Sequence, residues 1–212
     1  MTTTSGAGST RTERRKEQTR RKLVDAARAM LANGSAHQAS IQEITEAADV
    51  GFGSFYNHFT SKTALFEAAV EDVLEETGEL LDRLGSALGD PAAEFAQSVR
   101  LAARIGRTHP EVARILVGHA MFYMDSERGL APRALRDIRA GIKAGRFRID
   151  NPKLALAATA GALVATLHMT LTDPEIADDD TVGDQLAENL LKMFGLPGDE
   201  AHALATTPLP EH

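Results

Sequence analysis

Hydrophobic residues fall at helical spacing along most of the chain. Leu23, Ala26, Ala27, Met30 and Leu31 recur at i, i+3, i+4, i+7 and i+8 and make one apolar stripe. The N-terminal part of that helix is densely basic, and Asn33-Gly34 ends it, glycine being the usual left-handed stop. Ile41, Ile44 and Ala48 mark a second, short helix. Ser40 stands as its N-cap, and Glu43 three residues on completes a capping box. Asp49 ends it, because aspartate tolerates the left-handed conformation better than most residues. A third short helix is expected from about Gly51 to His58. Thr60 or Ser61 then caps a long helix in which Leu65, Phe66, Ala69, Val70, Val73 and Leu74 keep the helical period, and that fades between Gly85 and Gly89.

Prolines punctuate the remainder. Asp90-Pro91 pairs a cap with proline at the first helical position, and His109-Pro110 starts another helix. A helical pattern from about Leu130 stops at Gly145, and Asn151-Pro152 caps an Ala-rich helix. Val182, Leu186, Leu190 and Phe194 define an amphipathic helix over 181–195. From Pro197 the chain has three prolines and no periodicity, so 197–212 reads as a flexible tail, as does the Thr/Ser/Gly-rich 1–10. Strand-like alternation of useful length is absent. The pattern predicts an all-α fold of about nine helices. Its expected division is a domain over 11–61 and a larger one over 62–196, with the helix after Ser61 linking them.

Composition narrows the picture. With 43% hydrophobic and 25% charged residues there is ample material for a core, which excludes disorder as the main state. The 212 residues suit one or two domains. The lack of cysteine removes disulfides, thiolate metal sites and cysteine nucleophiles. No metal site or cofactor is expected: the seven histidines are scattered, and no glycine-rich phosphate loop or nucleophile elbow is present. No apolar signal-peptide core stands in the first 30 residues, so a cytoplasmic location is expected. The 19 positions from Leu154 to Thr172 carry no charge, long enough for a membrane span. Alanine supplies little hydrophobic drive, however, and threonines and His168 interrupt the run. A buried helix of a soluble protein, at a subunit interface, is the preferred reading, with no membrane partner.

The formal net charge of −7 argues at first against nucleic acid as a partner. It is unevenly spread. Residues 1–62 carry nine Lys/Arg against six acids and are +3, whereas the remainder is −10. A basic N-terminal module joined to an acidic body fits a DNA-binding head.

The stretch from Ile41 to Phe66, IQEITEAADVGFGSFYNHFTSKTALF, carries the most information. Two short helices across a tight turn are the helix-turn-helix arrangement. Five of the ten Phe and Tyr residues cluster here: Phe52, Phe55, Tyr56, Phe59 and Phe66. Phe55 and Phe59 are expected in the core, which leaves Tyr56 on the exposed side. The series Ile41, Ile44, Ala48, Val50, Gly53, Phe55, Tyr56, His58, Phe59, Ser61, Lys62, Leu65 and Phe66 resembles the DNA-binding signature of the TetR family of bacterial transcriptional regulators. With the helix before it, the resemblance covers about residues 16–66.

The resemblance implies a homodimer that binds double-stranded operator DNA, a variable ligand-binding body, and an interface on the last two helices (about 152–172 and 181–195). It implies phosphate contacts from Tyr56, with His58, Lys62 and Ser40 beside it; Ser40 has its cap role as an alternative. Base reading would fall to Gly51, Phe52 and Ser54, with Asn57. Here the chain departs from the common pattern, with Gly51 in place of Ser or Thr, Phe52 in place of a polar residue and Asp49 in place of the turn glycine. Phe52 either touches thymine methyls or flanking sugar, or folds back onto the domain. Arg14, Arg15 and Lys16 are candidates for an arm on phosphate or in the minor groove, against the alternative of a solvated face.

In the body, polar or soft residues within apolar runs are the candidate lining of a ligand pocket: His119, Phe122, Tyr123, Thr166, His168 and Met169, together with Met121 and Met124. Ordinary packing is the alternative for each. The expected function is sequence-specific transcriptional regulation, as a repressor released from a pseudo-palindromic operator by a small molecule. A helical small-molecule binder or enzyme without a DNA role is the alternative, although no convergent set of acids and bases supports it.

Overall fold

A computed structural model describes residues 11–85, 88–120 and 128–209. Among these residues it has eleven helices and no strand. They divide into two compact units, up to Ala69 and from Val70 onward.

The first unit holds α1 (Arg11–Ala32), α2 (Ile41–Ala47), α3 (Phe52–Phe55) and the start of α4 (Lys62–Gly85). Leu23, Val24, Ala27 and Leu31 bury the apolar face of α1, with Val24 on the stripe beside the residues read from the sequence. Gly34 takes φ +79° and stops it. Ser40 and Glu43 form the full capping box of α2. Asp49 follows at φ +52°, the single non-glycine positive φ among the described residues. The expected helix from Gly51 to His58 is shorter in the structure. Only Phe52–Phe55 is helical, Gly51 is its N-cap, and turn bonds to the Phe55 carbonyl from the His58 and Phe59 amides carry the chain on. So short a helix relies on tertiary packing; Phe55 is fully buried and Phe59 nearly so.

The second unit contains the rest of α4, then α5 (Pro91–Thr108), α6 (Pro110–Gly118), α7 (Leu130–Lys143), α8 (Pro152–Thr172), α9 (Pro174–Asp178), α10 (Val182–Met193) and α11 (Gly198–Ala205). Helix α5 is central: it packs against α6, α7, α8, α10 and α11. Three rings, Phe95, Phe147 and Phe194, meet at centroid distances of 5.1–5.6 Å within the core. The Phe147 ring lies so close to Gly141 that a Cβ there would come within 2.2 Å of it.

Two expectations need correction. The segment from Pro197 is not a structureless tail: α11 follows it, and Ala201 and Ala205 are fully buried in the core. Those alanines are four apart on one helical face, a signal too short to stand out against three prolines. Nor does the expected pattern include α9, although Asp173-Pro174 repeats the cap-and-proline signal seen at Asp90-Pro91. Helix α8 is long and apolar enough to cross a membrane, and only part of it is buried within one chain. Ala155, Leu156, Thr159, Leu167 and Thr170 are buried, while Leu154 and Met169 are 67% and 45% exposed.

Candidate nucleic-acid interface and cavity

In the first unit the structure gathers α1, α3 and the turn after it. Arg20 of α1 lies over the Phe59 ring at 5.3 Å. Lys22 reaches the left-handed turn and pairs with the Asp49 carboxylate at 3.1 Å. His58, half-buried, has its pKa lowered by burial first and by the nearby Lys16 and Arg20 charges second. Its neutral form is therefore favoured at pH 7. Arg20 and Lys22 belong to the basic run Arg11 to Lys22, whose expected role is phosphate attraction, but a basic run on a helix shows no register toward partners that lie far along the chain.

Arg14, Arg15 and Lys16 lie exposed inside α1 and not on an extended arm. Arg, Lys, Glu and Gln are all good helix formers, so the helix extends back to Arg11. Ser40 is engaged locally: its hydroxyl oxygen accepts from the Glu43 amide at 3.2 Å and donates to the Glu43 carboxylate at 2.8 Å. The backbone bond from Ser40, followed by that hydroxyl, holds the Glu43 pKa below its ordinary value. The Lys62 ammonium donates to the carbonyls of His37 and Ala39 at 3.1 and 2.9 Å. That staple across the α1–α2 loop accounts for a lysine at a helix N-terminus, where the dipole disfavours it.

The outward surface of the segment is aromatic and small. Phe52 and Tyr56 are 54% and 57% exposed and meet edge to face at 6.1 Å. Tyr56 also rests on buried Phe55 at 5.3 Å. Gly51, Gly53 and Asn57 are exposed and Ser54 is half-buried. A Cβ on Gly53 would meet nothing within 4 Å.

The second unit contains an apolar cavity of about 80 Å³ walled by Leu81, Phe95, Val99, Leu130, Ala134 and Leu163, with Thr159. It shares Asp82, Ser98 and Asp137 with an open groove of about 680 Å³. At that mouth Arg133 of α7 donates to Glu75 at 2.8 Å and to Asp82 at 2.7 Å, both on α4. Arg136 donates to Asp82 at 2.8 Å. The hydrogen bond from Arg133 lowers the Glu75 pKa. Burial pushes that of Asp82 up, but the bonds from Arg136 and Arg133 outweigh it and the net shift is downward. The Arg133 stem and guanidinium lie over Gly78, where a Cβ would approach within 2.8 Å.

The described pocket candidates are not in this wall. His119 sits at the end of α6, its Nδ1 3.1 Å from the Ile115 carbonyl oxygen. Thr166 is half-buried, and His168 and Met169 are exposed on α8. Phe122 and Tyr123, like Met121 and Met124, lie outside the described residues. Ordinary core side chains make the wall of this cavity and charged groups make its mouth. Among the described residues no cluster of three or more His, Asp or Glu side chains is placed to hold a metal ion.

Comparison with known proteins bears on both units. Residues 23–69 match the family model for bacterial regulatory proteins of the tetR family, and residues 90–207 match the tetracyclin repressor-like C-terminal domain. The crystal structure of RolR in complex with resorcinol is 33% identical, with 93% of this chain and 98% of that chain covered and a TM-score of 0.69. SmeT, the repressor of the Stenotrophomonas maltophilia multidrug efflux pump SmeDEF, is similar in fold at 20% identity and a TM-score of 0.70, over 91% of this chain and all of that one. Among curated proteins, the nucleoid occlusion factor SlmA of Actinobacillus pleuropneumoniae is 26% identical over 90 residues, 42% of this chain. The match spans 45%, about half, of that relative's length.

Proposed function

The chain belongs to the TetR family of bacterial regulatory proteins, DNA-binding transcriptional regulators that are typically ligand-responsive repressors, and we propose how this member works. As a homodimer in the cytoplasm it holds a pseudo-palindromic operator through two heads, with α3 of each in the major groove about one DNA turn, roughly 34–36 Å, from the other. The basic face of α1, with Arg14, Arg15 and Lys16, and the Tyr56 hydroxyl hold phosphates. Lys62 serves mainly to brace the head, since two of its three donors are already spent on carbonyls.

The dimer forms on the outer faces of α8 and α10. Leu154, Ala158, Gly161, Ala165 and Met169 make an exposed, uncharged strip along α8, and Gln185, Asn189 and Met193 line up on α10. A second copy, and not a membrane, covers them.

The effector enters the second unit at the Arg133 mouth. RolR was crystallised with resorcinol, and this cavity suits the same class of small hydroxylated aromatic: an apolar wall for the ring, with Arg133 and Asp82 for hydroxyls. At about 80 Å³ the space is smaller than the ~150 Å³ cavity known to hold benzene. A ring is admitted only if the mouth opens, which moves Arg133 off Glu75 and Asp82. Both carboxylates are on α4, the described helix with residues in both units. An effector that prefers the opened mouth therefore biases α4 away from the DNA-competent position.

The observation that carries this reading is one chain with an exposed aromatic α3 in a basic head and an ion-paired cavity on the far half of α4. Its test is operator selection from random DNA, then gel-shift with resorcinol and other dihydroxybenzenes. Release from the operator is expected, and Arg133→Leu should remove it while the variant still binds DNA. A chain that selects no sequence would end the reading.

A further inference from the structure

We propose that Phe52 is a specificity-determining residue of this regulator and that it reads the C5-methyl group of a thymine in each operator half-site. This rests on the DNA-binding reading above. The outward positions of the segment are Gly51, Phe52, Gly53, Ser54, Tyr56 and Asn57. None carries a charge, and only Asn57 offers a bidentate hydrogen-bonding group. A code built on Arg to guanine is therefore closed to α3. In its place stands a phenyl ring 54% exposed to water.

The major-groove edges of the base pairs carry one apolar group, the methyl of thymine. An exposed aromatic ring on a recognition element consequently has one base partner. The ring is held ready for it. Tyr56 packs edge-on against Phe52 at 6.1 Å and is itself seated on buried Phe55 at 5.3 Å, so little rotamer freedom is lost on binding. Gly51 and Gly53 flank Phe52 without side chains, and the space a Cβ of Gly53 would fill is empty. The backbone can approach the groove floor closely enough for a short aromatic side chain to reach a base. Asp49, at positive φ, sets the turn that presents this segment, and Lys22 pairs with its carboxylate.

The test is a thymine-to-deoxyuridine scan of a selected operator, which deletes single methyl groups and leaves every hydrogen-bonding atom in place. Wild-type protein should lose about four-fold in affinity per half-site at one thymine, the value of one buried methyl-sized group. Phe52→Ala should bind the thymine operator more weakly and treat both operators alike, while Phe52→Leu keeps the discrimination. Circular dichroism melting of Phe52→Ala should match wild type, since the ring is exposed. Wild-type protein that binds the operator and ignores every methyl overturns the proposal and leaves the DNA-binding reading intact. So does a Phe52→Ala protein that still discriminates, or one that loses affinity equally with and without the methyl. Failure to select any operator overturns both.

Discussion

The two units of this protein are held by different kinds of interaction. In the first, the capping bonds span a few residues, and the longer ones, Lys22 to Asp49 and Lys62 to His37, reach only 27 and 25 positions. Ser40 and Glu43 cap each other, Ser61 accepts from the Ala64 amide, and Asp49 turns the chain by its own conformation. In the second, guanidinium groups clamp elements far apart in the chain. Arg133 reaches Glu75 across 58 positions, and Arg146 reaches Asp90 across 56 and also pairs with Glu200. Buried Arg100 reaches Asp184 across 84 positions and the Thr207 carbonyl across 107. The difference suits the roles. A DNA-reading head must keep one shape, which short caps and a small aromatic core supply. A ligand-sensing body needs contacts that can exchange partners, and an arginine shared between two carboxylates is such a contact.

The largest expected effect probes the head. Phe55→Ala deletes a fully buried ring and should cost the first unit about 3–5 kcal/mol. DNA binding should vanish while a melting transition of the body remains; a single shared transition lost as a whole would break the two-unit comparison. Next is the body. Asp184→Ala leaves Arg100 buried with only the Thr207 carbonyl, and should cost about 3 kcal/mol by urea denaturation. Ser40→Ala removes one local cap and should cost about 1 kcal/mol. If that cap cost as much as the Asp184 clamp, the contrast between local and long-range support would fail.

The smallest effect is pH dependence, and it separates the units. His58 has a depressed pKa when folded, so the unfolded chain binds the proton more readily. Head stability should be complete above the ordinary value of 6.5 and decline as pH falls below it. The carboxylates of Glu75, Asp82 and Asp90 are also depressed, from 4.5, 3.8 and 3.8, so the body should hold until pH falls below about 4.5. Melting followed between pH 7.5 and 4 should show the head weakening first, and His58→Gln should abolish that upper step. Simultaneous weakening would remove the distinction.

These same differences decide what could be read in advance. The stop at Gly34, the capping box, the left-handed Asp49 and the buried Phe55 beside exposed Tyr56 were all legible. So were the caps of α5 and α8 at Asp90 and Asn151. Each is settled by residues within about four positions, where backbone hydrogen bonding leaves few alternatives. The Ile41–Phe66 pattern added the family by resemblance, and the charge split pointed to a basic head.

The cavity was not legible. Its wall is ordinary core, its mouth is a set of ion pairs whose partners stand 50 or more residues apart, and neither leaves a periodic trace. Nor could the sequence show that Lys62 is tied to two carbonyls, that Lys22 meets Asp49, that Ala201 and Ala205 make the chain end part of the core, or that α8 keeps an apolar face outward. The sequence by itself determined where most of the helices begin and end and which family they resemble, because caps, turns and apolar periods act locally. Only the tertiary structure decided which charges meet and where space is left, because those depend on packing between segments that the chain order keeps apart.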